Sequence, residues 1–283
     1  MSQFIQHTLM LLEDAGMSIR YPEIRHVTLE ENGKSTMHMH FSSMLGRRVS
    51  IEQNPQMKFM MIFALLDFYV DATYPEMEGK SYAKKYKSLP ARGDFDLILC
   101  QLFRVAKVVR NALVHNPSSF SISDGHLNVS YNYRNTDFSV KMSLEALTDF
   151  YTAIIMYIKG DMGKGGYFLG IARAIYRNVF VGIKNFSDEF GSSLKEPSAG
   201  IKIKPYVRQV FVNPQHEIKE GLVRVVIPER QIQEWEGMDF YISYNGNDFL
   251  IPSEALDDDL SISEHDLVSN WKREGRFPQV KKP

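Results

Sequence analysis

Three side chains near the middle of the chain, Arg110, Asn111 and His115 in VAKVVRNALVHNPSS, have the types and spacing to act on a phosphodiester. Histidine ordinarily titrates near neutrality, so it can take a proton from an RNA 2′-hydroxyl or give one to the departing 5′-oxygen. An arginine fork matches two phosphate oxygens and can hold the charge that builds on them in the transition state. Together the two offer RNA cleavage without a metal ion. On a regular helix Asn111 lies about 40° round from His115, close enough to orient the imidazole, whereas Arg110 lies about 140° away. Arg110 would reach the same phosphate through its length, through a loosened last turn, or from a second copy of the motif. A plainer reading stays open: cations in the last turn of a helix gain roughly 0.3–1 kcal/mol each from its dipole, and Arg110 and His115 could simply finish a helix.

The element that must position these residues runs from Asp94 to His115. Phe95, Ile98, Leu99, Leu102, Phe103, Ala106, Val109 and Leu113 follow the helical i, i+3, i+4 spacing. Asn116-Pro117 ends it, because the residue before a proline is pushed out of the helical region. Met57 to Tyr74 is apolar almost all round, which predicts a helix buried on most faces. Ser81 to Ser88 reads as a short helical piece closed by Pro90. Strands are expected at Phe120–Ile122, Leu127–Tyr133 and Phe138–Met142, the first two joined by Ser123-Asp124-Gly125. Helical patterning returns at Leu144–Ile158 and Phe168–Phe190.

Before this stretch a helix over Gln3–Asp14 and strands at Ile24–Glu30 and Ser35–Ser42 make a small α+β lead-in. After it GSSLKEPSAGIK reads as a linker. Short strands follow at Arg208–Phe211, Val223–Ile227, Phe240–Tyr244 and Asp248–Ile251, with a turn at Asn245-Gly246-Asn247. Pro228 opens a brief helix (PERQIQEWEG), and Ser263 with Asp266 caps a last one ending near Gly275. The expected fold class is α+β: an N-terminal segment over 1–54, a mainly helical domain with an inserted hairpin over 55–190, and a small α+β domain over 200–283.

Arg-Asn, three residues and His near the end of a long helix, after another strongly apolar helix, resembles the HEPN superfamily. Its hallmark is an Arg, a polar residue and a His in this arrangement in a helical bundle. The resemblance rests on Arg110, Asn111 and His115 and covers at most the central stretch. It implies a HEPN-like bundle and metal-independent endoribonuclease activity with no cofactor. It also implies a homodimer in which two motif helices meet to form one site. The architecture is similar to those of bacterial toxin and phage-defence systems, which implies RNA as partner and an inhibitory protein or antitoxin as restraint. A HEPN-like dimer that binds RNA, nucleotide or protein without cutting is the alternative, since fold does not dictate function. An interaction protein in which RNALVH is only a helix end is a third.

Charge does not decide between these. Thirty-three Lys plus Arg stand against thirty-four Asp plus Glu, a formal net charge of −1, so an RNA path needs a local patch. Arg104 and Lys107 on the motif helix, and Lys84 and Lys85 just before it, are the candidates. Tyr82 and Tyr86 interleave with these lysines and with Lys80, Lys87 and Arg92, as stacking on single-stranded RNA would use. A solvated helix face is the simpler account of the lysines. The single Cys100 excludes an internal disulfide and fits a reducing cytoplasm, and no apolar stretch is long enough to predict a membrane span. His38 and His40 share a strand face, but two ligands make no closed metal site. The glycines of GDMGKGGYFLG lack a phosphate loop's GK[ST] ending and read as a connection between helices.

Overall fold

A computed structural model describes residues 9, 12, 24–29, 35–39, 54–204, 207–226 and 237–279. In chain order the strands are β1 (Ile24–Leu29) and β2 (Ser35–Met39), followed by helices α1 (Pro55–Thr73), α2 (Tyr82–Ser88) and α3 (Asp94–His115). Next come β3 (Phe120–Ser123), β4 (His126–Tyr133), β5 (Thr136–Ser143), α4 (Leu144–Lys159), α5 (Gly166–Gly182) and β6 (Ile183–Ser187). The chain then forms β7 (Arg208–Val212), β8 (Gln215–Lys219), β9 (Leu222–Val226), β10 (Gly237–Tyr244), β11 (Asn247–Pro252), β12 (Ser261–Ser263) and α6 (Glu264–Asn270). The class is α+β. The expected helix over Gln3–Asp14 lies outside the described residues apart from Leu9 and Leu12, both helical and buried. The expected helix after Pro228 also lies outside them, and Gly237 already opens β10.

The chain divides into two compact units, the first holding residues 43–159 and 175–198 with the N-terminal 1–19. Its core forms where α1 packs on α3 and α4. Phe59, Phe63, Leu66 and Val70 of α1 are buried, as are Leu102, Phe103, Val109 and Ala112 of α3 and Phe150, Ile154 and Ile155 of α4. Asn54 caps α1 by accepting from the Met57 N–H at 2.9 Å, the bond an N-cap asparagine is suited to make. The sheet has strand order β3-β4-β5-β6 and is antiparallel throughout. Leu127 pairs with Met142, Val129 with Val140 and Tyr131 with Phe138, so alternation puts these six on one face. Asp124 and Gly125 turn the first hairpin with positive φ (50° and 71°), as a tight two-residue turn requires.

One expected helix is corrected here. Phe168–Phe190 does not run through as a helix: α5 ends at Gly182, and Ile183–Ser187 becomes the edge strand β6 against β5. Gly182 is the breakpoint, since a Cβ there would meet Ala146 of α4. An apolar run of mixed β-branched and aromatic residues carries little information on helix against strand by itself.

The second unit holds residues 20–42, 160–174 and 199–283. Strands β1 and β2 therefore do not belong to a separate N-terminal α+β unit. They complete a sheet of order β11-β10-β7-β1-β2, in which β7 runs parallel to both β1 and β10. A second sheet of order β12-β9-β8 is antiparallel. The central position of β7 buries Arg208, Gln209, Val210 and Phe211 together, as strands covered on both faces do. The buried guanidinium of Arg208 is met by Asp239 of β10 (2.8–3.0 Å) and Glu254 (2.7–2.8 Å), and Tyr167 donates to Asp239 at 2.8 Å. The last helix begins as expected, with the Ser263 Oγ accepting from the Asp266 N–H at 3.0 Å, but it ends at Asn270 rather than near Gly275. Buried Trp271 then packs into this unit's core, and its carbonyl accepts from the Leu250 N–H at 3.0 Å. The glycine-rich connection between α4 and α5 is tied down: the Lys164 N–H donates to Glu274 at 2.8 Å, and the Asp161 carbonyl accepts from Arg276 and Phe277.

Candidate active site

Helix α3 carries the motif. Its buried face, from Ile98 through Ala112, fixes the helix against α1 and α4, and its last turn emerges so that His115 is exposed and Arg110 and Asn111 are half-buried. Asn116 ends it, with the Asn116 N–H donating to the Ala112 carbonyl at 2.7 Å, and Pro117–Ser119 turns away as one 3-10 turn. His115 is the last helical residue. Among the described residues none hydrogen-bonds its exposed ring.

Arg110 is held from two sides. Its Nη1 donates to the Oδ1 of Asn111 at 3.2 Å, and its guanidinium lies over the Tyr82 ring, 4.8 Å from the centroid. The Tyr131 hydroxyl, near enough to feel the Asn111 amide, donates to the Val108 carbonyl at 3.3 Å. Burial pushes that hydroxyl's pKa up, and Asn111 opposes the shift. Asn111 thus steadies Arg110, whereas the helical wheel alone pointed it at His115. The Tyr82 ring is itself fixed, edge-on to Phe63 at 5.0 Å and near Phe103 at 6.3 Å. Among the described residues no carboxylate forms an ion pair with Arg110. Asp67 feels its charge from beyond ion-pair distance: burial raises that carboxyl, and Lys85 and, more weakly, Arg110 pull it back.

The four cations expected to line an RNA path separate sharply. Arg104 is 0% exposed, with its Nε and Nη2 donating to the two oxygens of Asp188 at 2.7 and 2.6 Å. Lys107 is 1% exposed and donates to Glu189 at 2.5 Å. Lys85 is 2% exposed between Asp67 and Asp71. These three cannot reach a phosphate in the folded chain, so the expected contact is corrected. Each belongs to an ion pair whose desolvation requires the carboxylate beside it. Only Lys84 of the four is exposed. Tyr86, expected to stack on a base, instead covers the Arg104 guanidinium at 5.3 Å from its ring centroid, together with Phe186 and Phe190.

The site residues that sequence reasoning missed are Tyr131, as a neighbour of Asn111, and Tyr82, as a support for Arg110. Tyr82 was visible as an aromatic among lysines, but its role depends on how α2 lies against α3. Asp188 and Glu189, which neutralise Arg104 and Lys107, lie more than 80 residues along the chain from them and leave no local signal. Among the described residues no group of three His, Cys, Asp or Glu side chains could hold a metal ion, and no helix is long and apolar enough to cross a membrane. His38 lies in β2, and His40 lies outside the described residues. A cavity of about 540 Å³ lies within the second unit, lined among others by Leu169, Arg173, Asp266, Trp271 and Lys272, and holds none of the motif residues.

No family model, curated protein or solved structure matches the chain. The motif geometry therefore carries the functional argument.

Proposed function

We propose that the chain is a metal-independent endoribonuclease of HEPN type that acts as a homodimer. What carries the reading is the contrast at the end of α3: His115 is exposed and Arg110 is half-exposed with no carboxylate partner among the described residues, while the neighbouring cations Lys85, Arg104 and Lys107 are all neutralised. A guanidinium oriented by a ring and an amide, but not cancelled by a carboxylate, keeps its charge for a phosphate.

In this reading one imidazole takes the proton of the 2′-hydroxyl as that oxygen attacks phosphorus. The bond from phosphorus to the 5′-oxygen breaks, a cyclic phosphate forms, and a protonated imidazole supplies the proton to the leaving oxygen. Arg110 holds the charge on the non-bridging oxygens. Arg110 and His115 are about 7.5 Å apart along the helix axis and about 140° apart around it, so two copies of α3 fit this division of labour better than one. A role in toxicity or phage defence under an inhibitory partner, in the cytoplasm, belongs to the same proposal. The buried single thiol of Cys100 suits a reducing compartment.

Burial of three expected RNA contacts favours one other reading, a non-cutting dimer that binds a nucleotide or a protein. Incubating the purified chain with single-stranded RNA in excess chelator, beside His115→Ala and Arg110→Ala, separates them. Cleavage by the parent chain that is lost in both variants is expected. RNA left intact by the parent chain refutes the nuclease reading.

A further inference from the structure

We propose that Tyr82 is a positioning residue for Arg110: its ring sets the plane and height of the guanidinium that would receive the scissile phosphate. The inference rests on the nuclease reading above and adds a residue outside the motif to it. A cation within about 6 Å of a ring centroid is drawn to the ring's negative face, and the Arg110 guanidinium lies at 4.8 Å. An attraction of this kind directs as well as binds, because it lays the guanidinium against the ring face and leaves its far edge for another partner.

Three features of the surroundings make Tyr82 a fixed support. It lies in the first turn of α2, and its ring is held at 5.0 Å by Phe63 of α1 and at 6.3 Å by Phe103 of α3, so two helices set its angle. The second cation near the ring, Lys85 at 5.8 Å, is engaged by Asp67 and Asp71. Arg110 is left as the cation over this ring that no carboxylate pairs among the described residues. The bond from Arg110 to Asn111 pins the guanidinium at a second point, so ring and amide together define its orientation. A flexible side chain with two anchors loses less freedom when the transition state forms, which is how a group that never touches substrate can change turnover.

The test replaces Tyr82 by phenylalanine and then by mono-, di- and trifluorinated phenylalanines. These keep the ring's shape and packing while draining the negative charge from its face. Cleavage of a single-stranded RNA oligonucleotide in excess chelator is measured with kcat and KM resolved, beside the thermal midpoint of each variant. Tyr82→Phe should keep kcat within about twofold of the parent chain. The trifluorinated ring should lower kcat by about fivefold, with intermediate steps between, as expected for losing an interaction of about 1 kcal/mol. The midpoint should fall by no more than a few degrees across the series, and KM should change less than kcat. A flat kcat, or one that only follows the midpoint, overturns the positioning role and leaves the nuclease reading standing. A parent chain that cuts no RNA overturns both.

Discussion

Replacing Arg104 by methionine tests whether this arginine holds the fold together or serves a ligand. In the folded chain it makes two bonds to Asp188, at 2.7 and 2.6 Å, and donates to the Ser192 and Ser193 carbonyls at 2.7 and 3.2 Å. The guanidinium is enclosed by Tyr86, Phe186 and Phe190. Methionine keeps most of the apolar contact with those rings, so the loss falls on Asp188, whose side chain is 0% exposed. Its remaining support is the Phe190 N–H at 3.1 Å and the Lys107 ammonium at 3.7 Å. Stranding a buried carboxylate in this way costs about 3–5 kcal/mol, enough to consume much of a typical domain's stability. Removing the stranded charge as well, in Arg104→Met with Asp188→Leu, should recover at least about 2 kcal/mol, because an apolar pair suits a buried site as well as an ion pair does. The two compact units need not unfold together, and Trp271 belongs to the other one, so its fluorescence would miss the event. Amide hydrogen exchange along α3 in increasing urea reports it directly. A loss below about 1 kcal/mol in the single variant, or no recovery in the double one, would refute the assignment of Arg104 as a structural cation.

Lys107→Met should be close to neutral, because Glu189 is part-exposed and can turn to water. Burial holds the Lys107 ammonium below the usual lysine range, with Glu189 opposing. The unfolded chain therefore binds more protons between that lowered pKa and the ordinary value, and this residue's contribution to stability rises with pH across that window. Urea titrations of both chains through alkaline pH should show the rise in the parent and not in the variant. Cys100 should label slowly in the folded chain, since burial pushes its thiol up to about 11. At pH 8 only about one molecule in a thousand then carries a thiolate, and rapid native reaction with a thiol reagent would contradict the burial. In the second unit Asp239→Asn should cost about 3–5 kcal/mol by taking the main counter-charge from Arg208, a loss that Trp271 fluorescence can follow and that an unchanged urea midpoint would disprove.

Local pattern was enough to read much of the secondary structure. The span of α3 from Asp94 to His115 follows from apolar spacing and from the proline that forbids its continuation, both of which act within a few residues. Hairpin turns at Asp124-Gly125 and Asn245-Gly246 were legible for the same reason, since few residue pairs tolerate positive φ at both positions. The conversion of Ile183–Ser187 into a strand was not legible, because it depends on β5 offering an edge and on Gly182 meeting Ala146. Nor was the recruitment of β1 and β2 into a sheet built around β7, about 180 residues later, since strand pairing is written in no local window.

The candidate site divides along the same line. The chain's order of residues determined that an arginine, an asparagine and a histidine would close a long amphipathic helix, because spacing and helix termination are short-range properties. Which cations stay available was decided only in three dimensions. Arg104, Lys107 and Lys85 resemble Arg110 in sequence, yet distant or differently placed carboxylates neutralise them once desolvation makes an unpaired charge too costly to bury. Arg110 stays half-exposed, and among the described residues the groups that hold it are a ring and an amide, which orient a guanidinium without discharging it.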